Sequence, residues 1–469
     1  MRAWLGGALP QLRKRWFLGF FGAILFVWGC YYVLEYPGIF VQDASGQINT
    51  VLSGSYDNWA PIAHTLLLGA LYRLAGDNIQ LFIAVQMLLV AFVAAYAVWW
   101  IATRTRSRWL TGCAWGWFVL HPLFAFISFS TPKDAMFSAA FLLLVIELAE
   151  LAWRKDTAES SRLRWLHILS LCLAVLGTLF FRNNGAFVVL LLLPLGLWLL
   201  PQRRRKFILT GICASEIALF AFAQSVLLPA FHVRQTPVTE GLALPLQQIG
   251  RVIAKERPLA PEEEAALAEI LPLDVWRAKY SSLTVDPVKF DAAFNGDAVE
   301  VDKQGFMRLW GKLLLRYPGD YIAATLGETR LLWDITAEPG MLEEFYNSSV
   351  HTHIRRKTPF PALQELEYKL INIWMLSRYT IPFHIVWNPP VCFAVCGVMM
   401  VRILLRRQKR LLLPFIPVVG LWISLFLTIP HGAVGRYVWP VFCAVPLLFS
   451  IGARVRKYQS EERKLEAAT

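Results

Sequence analysis

No cysteine lies in the one long polar stretch of this chain: all seven (Cys30, Cys113, Cys172, Cys213, Cys392, Cys396 and Cys443) fall inside apolar runs. That placement excludes a disulfide framework and a zinc ribbon. Charged residues are scarce, at 17%, and acids are fewer than bases, 33 against 46, for a net charge of +13. There is no internal repeat and no low-complexity tract. The first apolar run, Trp16 to Leu34, follows a basic stretch but lacks a small-x-small cleavage site, so it reads as a retained anchor and not as a removable signal. The basic excess does not point to nucleic acid. It sits in short clusters at the ends of apolar runs, Arg13 to Arg15, Arg104 to Arg108, Arg203 to Lys206 and Arg406 to Arg410, which is the positive-inside pattern of a membrane protein.

Hydrophobicity is abundant. Over 469 residues, 56% are hydrophobic and 14% aromatic, with a mean hydropathy of +0.47. A soluble domain cannot hide that much apolar surface, so the bilayer is part of the solvent. A hydrocarbon core is crossed by about 20 apolar residues in a helix that satisfies its own backbone. The expected fold class is therefore an all-α polytopic membrane protein.

With the N-terminus in the cytosol, Trp16 to Leu34 leads to an outer loop of residues 35–77. Within it, Pro61 to Ala75 is apolar but spans only about 15 residues, roughly 22 Å of helix, and is expected to lie at the interface. Were it a span, the next run, Ile79 to Ala102, would deliver Arg104, Arg106 and Arg108 to the outside. The later runs then alternate: Trp109 to Ser130, Ala135 to Trp153, Trp165 to Phe181, Ala186 to Leu200 and Phe207 to Leu228. After Pro229 hydropathy falls. Residues 230–381 are expected to form a mainly helical outer, periplasmic domain, with a helix start at Pro261 to Glu264 and helices over Phe306 to Leu315 and Tyr317 to Trp333. Residues 1–229 make the N-terminal membrane module. Residues 382–469 close the chain with spans near Phe383 to Leu405, Leu411 to Ile429 and Tyr437 to Val455 and a basic cytosolic tail. The total is about ten spans.

On this topology the polar interruptions all land on the outer face: Gln42-Asp43, Pro132-Lys133-Asp134, Arg182-Asn183-Asn184-Gly185 and His431 to Arg436. Ionisable groups at that depth are expensive and usually face a bundle interior or a wet cavity. Together they supply what transfer from a lipid phosphate needs. A carboxylate can take a hydroxyl proton, and Arg and Lys can meet charge building on a departing phosphate. Taken singly each has a plainer reading: Lys133-Asp134 as a local ion pair, Arg436 as a snorkelling arginine, Asp43 as a solvated loop residue. Their joint placement on one face favours a site. Glu216, nearer the cytosolic side, has two readings, a proton-relay residue or a satisfied interhelical hydrogen bond, and the second is favoured. His351-x-His353 has no third ligand nearby, so no metal is expected, and Asn347-Ser348-Ser349 carries no weight as a glycosylation acceptor.

An ordered set of motifs resembles the GT-C glycosyltransferases, the polytopic class that includes protein O-mannosyltransferases and the lipid A aminoarabinose transferase. It begins with a first span followed by Tyr36-Pro-Gly-Ile-Phe-Val-Gln-Asp43, then Pro61-Ile-Ala-His64 leading into the next span. Lys133-Asp134, Arg182 to Gly185, Pro245-Leu246-Gln247-Gln248 and Arg436-Tyr437 follow, and they look most like a bacterial group of uncharacterised or surface-polysaccharide transferases. The resemblance implies an inverting transfer from a polyprenyl-phosphate sugar to a glycan, lipid or protein acceptor on the outer face of a bacterial inner membrane, without a cofactor. Asp43 carries over as the base. Lys133, Arg182, Asn183, Arg436, Tyr437, His64, Gln247 and Gln248 carry over to the donor phosphate and substrate. The chain departs from the mannosyltransferases in having Ala44 after Asp43 where they have an Asp-Glu pair, which leaves Asp134 as the second carboxylate. Two other readings stay open: a transporter or flippase for a lipid-linked or anionic substrate, and a non-catalytic subunit of an envelope polysaccharide complex.

Overall fold

A computed structural model describes residues 2–153, 161–337, 358–376, 386–428 and 435–466. Among the described residues every regular element is helical, and extended pairing is limited to two isolated bridges, Ile39 with Ser130 and Asp57 with Arg234. The N-terminal module consists of α1 (Arg2–Leu34), α2 (Gln42–Ser53), α3 (Ile62–Leu74), α4 (Gln80–Thr105), α5 (Arg108–Leu120), α6 (Pro122–Phe129), α7 (Lys133–Trp153), α8 (Ser161–Phe180), α9 (Gly185–Leu199) and α10 (Arg203–Phe222). Among the described residues six helices are long and apolar enough to cross a membrane: Lys14–Leu34, Gln80–Thr105, Lys133–Trp153, Arg203–Ala230, Lys409–Thr428 and Gly435–Val455. Their outward faces carry exposed Phe26, Leu89, Phe92, Phe207 and Leu219, which only hydrocarbon accommodates at that density. The chain is a multi-pass membrane protein.

The expected span Trp109 to Ser130 is two helices, α5 and α6, bent by 54°. The cause lies in the sequence. Pro122 has no amide hydrogen and disfavours helical backbone at the preceding residue; His121 is accordingly extended, with ψ 112, and its ring accepts from the Leu123 amide at 3.3 Å as an N-cap. The runs beginning at Trp165, Ala186 and Phe383 appear as shorter apolar helices, Trp165–Phe180, Gly185–Leu199 and Pro389–Leu405. Phe383 itself, the domain boundary at residue 381, Ile429, His431 to Val434, His351-x-His353 and Asn347 to Ser349 lie outside the described residues.

The helix α7 is the axis of the bundle and sorts its two ends. It is 21 residues long, about 30 Å, and nearly all of it is buried. At its C-terminal end Glu150 accepts from Arg104, the last basic residue of α4, and the Leu151 carbonyl accepts from Arg205 of α10 at 2.9 Å. Lys409 caps the ring of Trp198 at the end of α9, 5.4 Å from its centroid. At its N-terminal end stand Lys133 and Asp134. The chain leaves α1 at Tyr36 and enters α4 beside it, where the Tyr36 hydroxyl meets Gln80. Residues 37–79, α3 included, are therefore one excursion at the Lys133 end of the bundle.

The polar middle folds as a helical unit with its own core, in which Leu246, Ile249, Val252, Leu267, Trp276 and Tyr321 are buried. The amphipathic helix Ala243–Ala254 lies against Pro318–Glu328. The helix start expected at Pro261 is present, with Arg316 making a two-pronged pair with Glu263 at 2.8 and 3.0 Å. The expected helix over Tyr317 to Trp333 ends at Glu328. The carboxyl of Glu328 is wholly buried; burial, reinforced by nearby Asp286, pushes its pKa up to about 8.

Candidate functional site

Two local devices bring the outer-loop motifs together. Residues 39–41 run alongside 129–131: the Ile39 amide donates to the Phe129 carbonyl and the Thr131 amide to the Ile39 carbonyl, each at 3.1 Å, and the Val41 amide donates to the Thr131 hydroxyl at 3.0 Å. Gly38 makes this close approach possible. Its φ is +111, and a Cβ there would stand 2.8 Å from the Phe129 carbonyl oxygen and 2.4 Å from Ile83, so only glycine fits. The pairing sets Asp43, at the start of α2, beside Lys133-Asp134, at the start of α7. The second device is the turn from α8 to α9. Gly185 packs so closely on the Thr178 carbonyl that a Cβ would overlap it at 1.7 Å. This reversal turns the Arg182 side chain in toward α7, where it pairs with Asp134.

The result is a chain of alternating charge. Arg182 holds one oxygen of Asp134, the Arg436 Nε lies 3.9 Å from the other, and Arg436 Nη1 donates to Asp43 Oδ2 at 2.9 Å. The ring of Tyr437 lies between the two cations, 4.6 Å from the guanidinium carbon of Arg182 and 5.6 Å from that of Arg436. Cation–π contact of this kind holds a guanidinium without using its donors. The Lys133 ammonium sits 5.2 Å over the ring of Trp59 and within electrostatic range of Asp43, Asp134, Arg436 and Arg182. The cluster has an inner and an outer part. The Asp134 and Arg182 side chains are 1% and 7% exposed, those of Asp43 and Arg436 20% and 21%.

The remaining sequence candidates divide. His64 is buried under the cluster, edge-on to Phe82 and Phe181, and is tied to Gln47 at 3.1 Å, with Nε2 unpartnered. Asn183 is exposed, and its backbone carbonyl accepts from Ala186. Its neighbour Asn184 instead ties α9 to Thr428 at 2.9 Å. Gln247 and Gln248 do not join the charge chain. They are buried in the helical unit, where Gln247 donates to the Ser281 carbonyl at 2.6 Å and Gln248 bridges Trp310 and Thr325 at 2.7 and 2.9 Å. Sequence reasoning missed Trp59, Thr131, Gln47 and Gln86. The amide of Gln86 reaches the Ser128 carbonyl at 3.0 Å and braces the segment carrying Thr131. It was findable as a lone amide inside an apolar run. Glu216 stands on α10 beside Cys172, apart from the cluster.

Fold and site together define a polytopic helical membrane protein with a partly accessible, alternating-charge cluster at one end of its bundle. The chain belongs to a family of unknown function, DUF6020, whose model matches residues 49–466. No curated protein matches it. Among solved structures, the crystal structure of ArnT from Cupriavidus metallidurans bound to undecaprenyl phosphate is similar over 94% of this chain and 78% of that one, with 14% identity and a TM-score of 0.32. That likeness is too distant to transfer a site or an activity.

Proposed function

We propose that this protein transfers a sugar from a polyprenyl-phosphate carrier to a hydroxyl of a cell-envelope glycan, lipid or protein, at the face of a bacterial inner membrane turned away from the cytosol. The observation that carries this reading is the Asp43–Arg436 pair, a carboxylate and a guanidinium 2.9 Å apart, both partly accessible and backed by further cations. An acceptor hydroxyl needs an ionised carboxylate within hydrogen-bond reach, and a departing phosphate needs cations placed where its charge grows. Here one arginine serves both ends. A carrier phosphate that engages the Arg436 fork takes it from Asp43 and thereby frees the carboxylate to act as base.

The acceptor oxygen then bonds to the anomeric carbon as the bond from that carbon to the phosphate oxygen breaks. The hydroxyl proton passes to Asp43 and polyprenyl phosphate leaves against Arg436 and Lys133. Direct displacement inverts the anomeric configuration. The inner pair, Arg182 and Asp134, is too buried to meet the sugar and positions Arg436 and Tyr437. If the bent pair and three of the short apolar helices also cross, ten spans result, and in this reading the helical unit that follows Pro229 lies on the same side as the cluster. No nucleotide-sugar site or metal enters the scheme.

Mass spectrometry of surface glycans and of accumulated polyprenyl-phosphate sugars tests the proposal in cells with wild type, a deletion, or Asp43→Asn. Loss of the same sugar in both mutants, with its lipid donor left unused, is the expected result. A glycan altered by the deletion and restored by equally expressed Asp43→Asn would remove Asp43 as base and favour a carrier or scaffold role.

A further inference from the structure

A cavity of about 910 Å³ opens at the other end of the bundle, between the middle of α1, where its candidate span begins at Lys14, the end of α4 and the start of α5. Its basic wall consists of Arg15, Arg106 and Arg108, and no acidic side chain lines it. Arg104, two residues from Arg106, is spent on Glu150; Arg15, Arg106 and Arg108 have no carboxylate within 4 Å among the described residues. Two features aim them into one space. On α1, Arg15, Trp16 and Gly19 fall at helical spacing, and on α5, Arg108, Thr111, Gly112 and Trp115 do so at i, i+3, i+4 and i+7, so each helix turns one face to the cavity. Between α4 and α5 the chain reverses at Arg106, whose φ is +51, and Ser107 caps the new helix by accepting from Leu110. The amide-rich start of α5 therefore also faces the cavity, and it favours negative charge.

The floor is apolar and low. A Cβ on Gly19 or Gly112 would meet nothing within 4 Å. α1 and α4 are both candidate membrane spans, so a cavity between them is within reach of lipid. Trp16, 52% exposed, and Trp115 stand at its edge, where amphipathic rings mark a membrane interface. A small soluble anion would use the arginines and leave the apolar floor uncovered.

We infer that this cavity is a binding site for an anionic phospholipid of the leaflet on that side, with the phosphodiester on Arg15, Arg106 and Arg108 and the acyl chains along the Gly19–Gly112 floor. The volume suffices for a headgroup and the first part of two chains, since small-molecule sites run to roughly 300–1,000 Å³. This site is separate from the Asp43 cluster and does not depend on the transfer reaction.

Native mass spectrometry of the full-length protein in detergent, titrated with phosphatidylglycerol or phosphatidylcholine, tests it. Wild type is expected to retain phosphatidylglycerol at least ~10-fold more tightly than phosphatidylcholine. Arg106→Gln with Arg108→Gln is expected to weaken retention roughly 30-fold, from about fivefold per surface arginine. Gly112→Leu fills the floor with the charges intact and is expected to weaken it about 10-fold, with the melting temperature in phosphatidylcholine micelles unchanged for both variants. Equal retention of the two lipids, retention unaffected in both variants, or full displacement of phosphatidylglycerol by millimolar inorganic phosphate would each overturn the inference, the last by making this an anion site without a lipid.

Discussion

The two ends of α7 carry buried carboxylates in opposite conditions. Near its C-terminus Glu147 accepts from the Tyr96 hydroxyl at 3.2 Å and from His167 and Ser170 at 2.8 Å each. Glu150 accepts from the Trp100 indole at 2.8 Å and from two nitrogens of Arg104. Near the N-terminus Asp134 has one hydrogen-bonded oxygen and one whose neighbour, Arg436, stands 3.9 Å away, out of hydrogen-bond reach. Asp43 is fastened by a single arginine that has another carboxylate to lean on. A network saturated with donors holds helices together and has nothing left to give. One that is short of partners, and partly open, can exchange them with a substrate. The same helix thus supplies a lock at one end and a site at the other.

That contrast can be broken most decisively at Asp43. Replacing it with Asn is expected to lower formation of the labelled envelope product in isolated membranes by about 10²–10⁴-fold, the usual worth of a general base, while the melting temperature barely moves, since a partly exposed ion pair contributes only about 0–1 kcal/mol. Arg182→Met should act the other way round. It strands a buried Asp134 and is expected to cost about 3–5 kcal/mol of stability, read as a lower melting temperature that Asp134→Leu in the same chain partly restores. At the saturated end, Glu147→Gln removes charge but keeps shape. It is expected to cost about 1–2 kcal/mol and to leave product formation intact; a larger loss of activity there than at Asp43 would reverse the assignment of the two ends.

Away from both ends of α7, the helical unit answers to pH. Folding raises the Glu328 carboxyl from 4.5 to about 8, so the folded state binds a proton that the unfolded state releases. The stability is fully present below about pH 4.5 and is lost as pH rises toward 8, by a few kcal/mol at most. Hydrogen exchange of the Ala243–Ala254 amides should therefore show weaker protection at pH 8 than at pH 5 after correction for intrinsic rates. Glu328→Gln should flatten that dependence.

Much of this was legible in the sequence. Hydropathy and the basic clusters placed the candidate spans of α1, α4, α7 and α10 and set Arg104, Arg205 and Lys409 at one end, because bilayer thickness and charge asymmetry leave few alternatives. The short length of Pro61 to Ala75 agrees with an excursion that returns to Gln80 beside Tyr36. Sidedness alone put Asp43, Asp134, Arg182 and Arg436 on one face. What was not legible rests on contacts between distant segments. Nothing in residues 39–41 announces that they pair with 129–131, and nothing in Arg182 tells it from Asn183, which faces out. Gln247 and Gln248 were drawn into the site by motif, whereas their amides fasten the core of the helical unit. The bend at His121 was written in Pro122 but hidden inside an unbroken hydropathy peak.

Asp43 and Arg436 are 393 residues apart in the chain. At a synthesis rate of about 5–20 residues per second, the arginine emerges tens of seconds after the carboxylate. Until the last helix enters the bundle the carboxylate has no Arg436 beside it, and a chain truncated by a hundred residues would carry every other charge of the cluster without the one that links them. The pairing therefore makes the link between the first outer loop and the last helix one of the last contacts to form: a half-inserted protein has the carboxylate without its arginine.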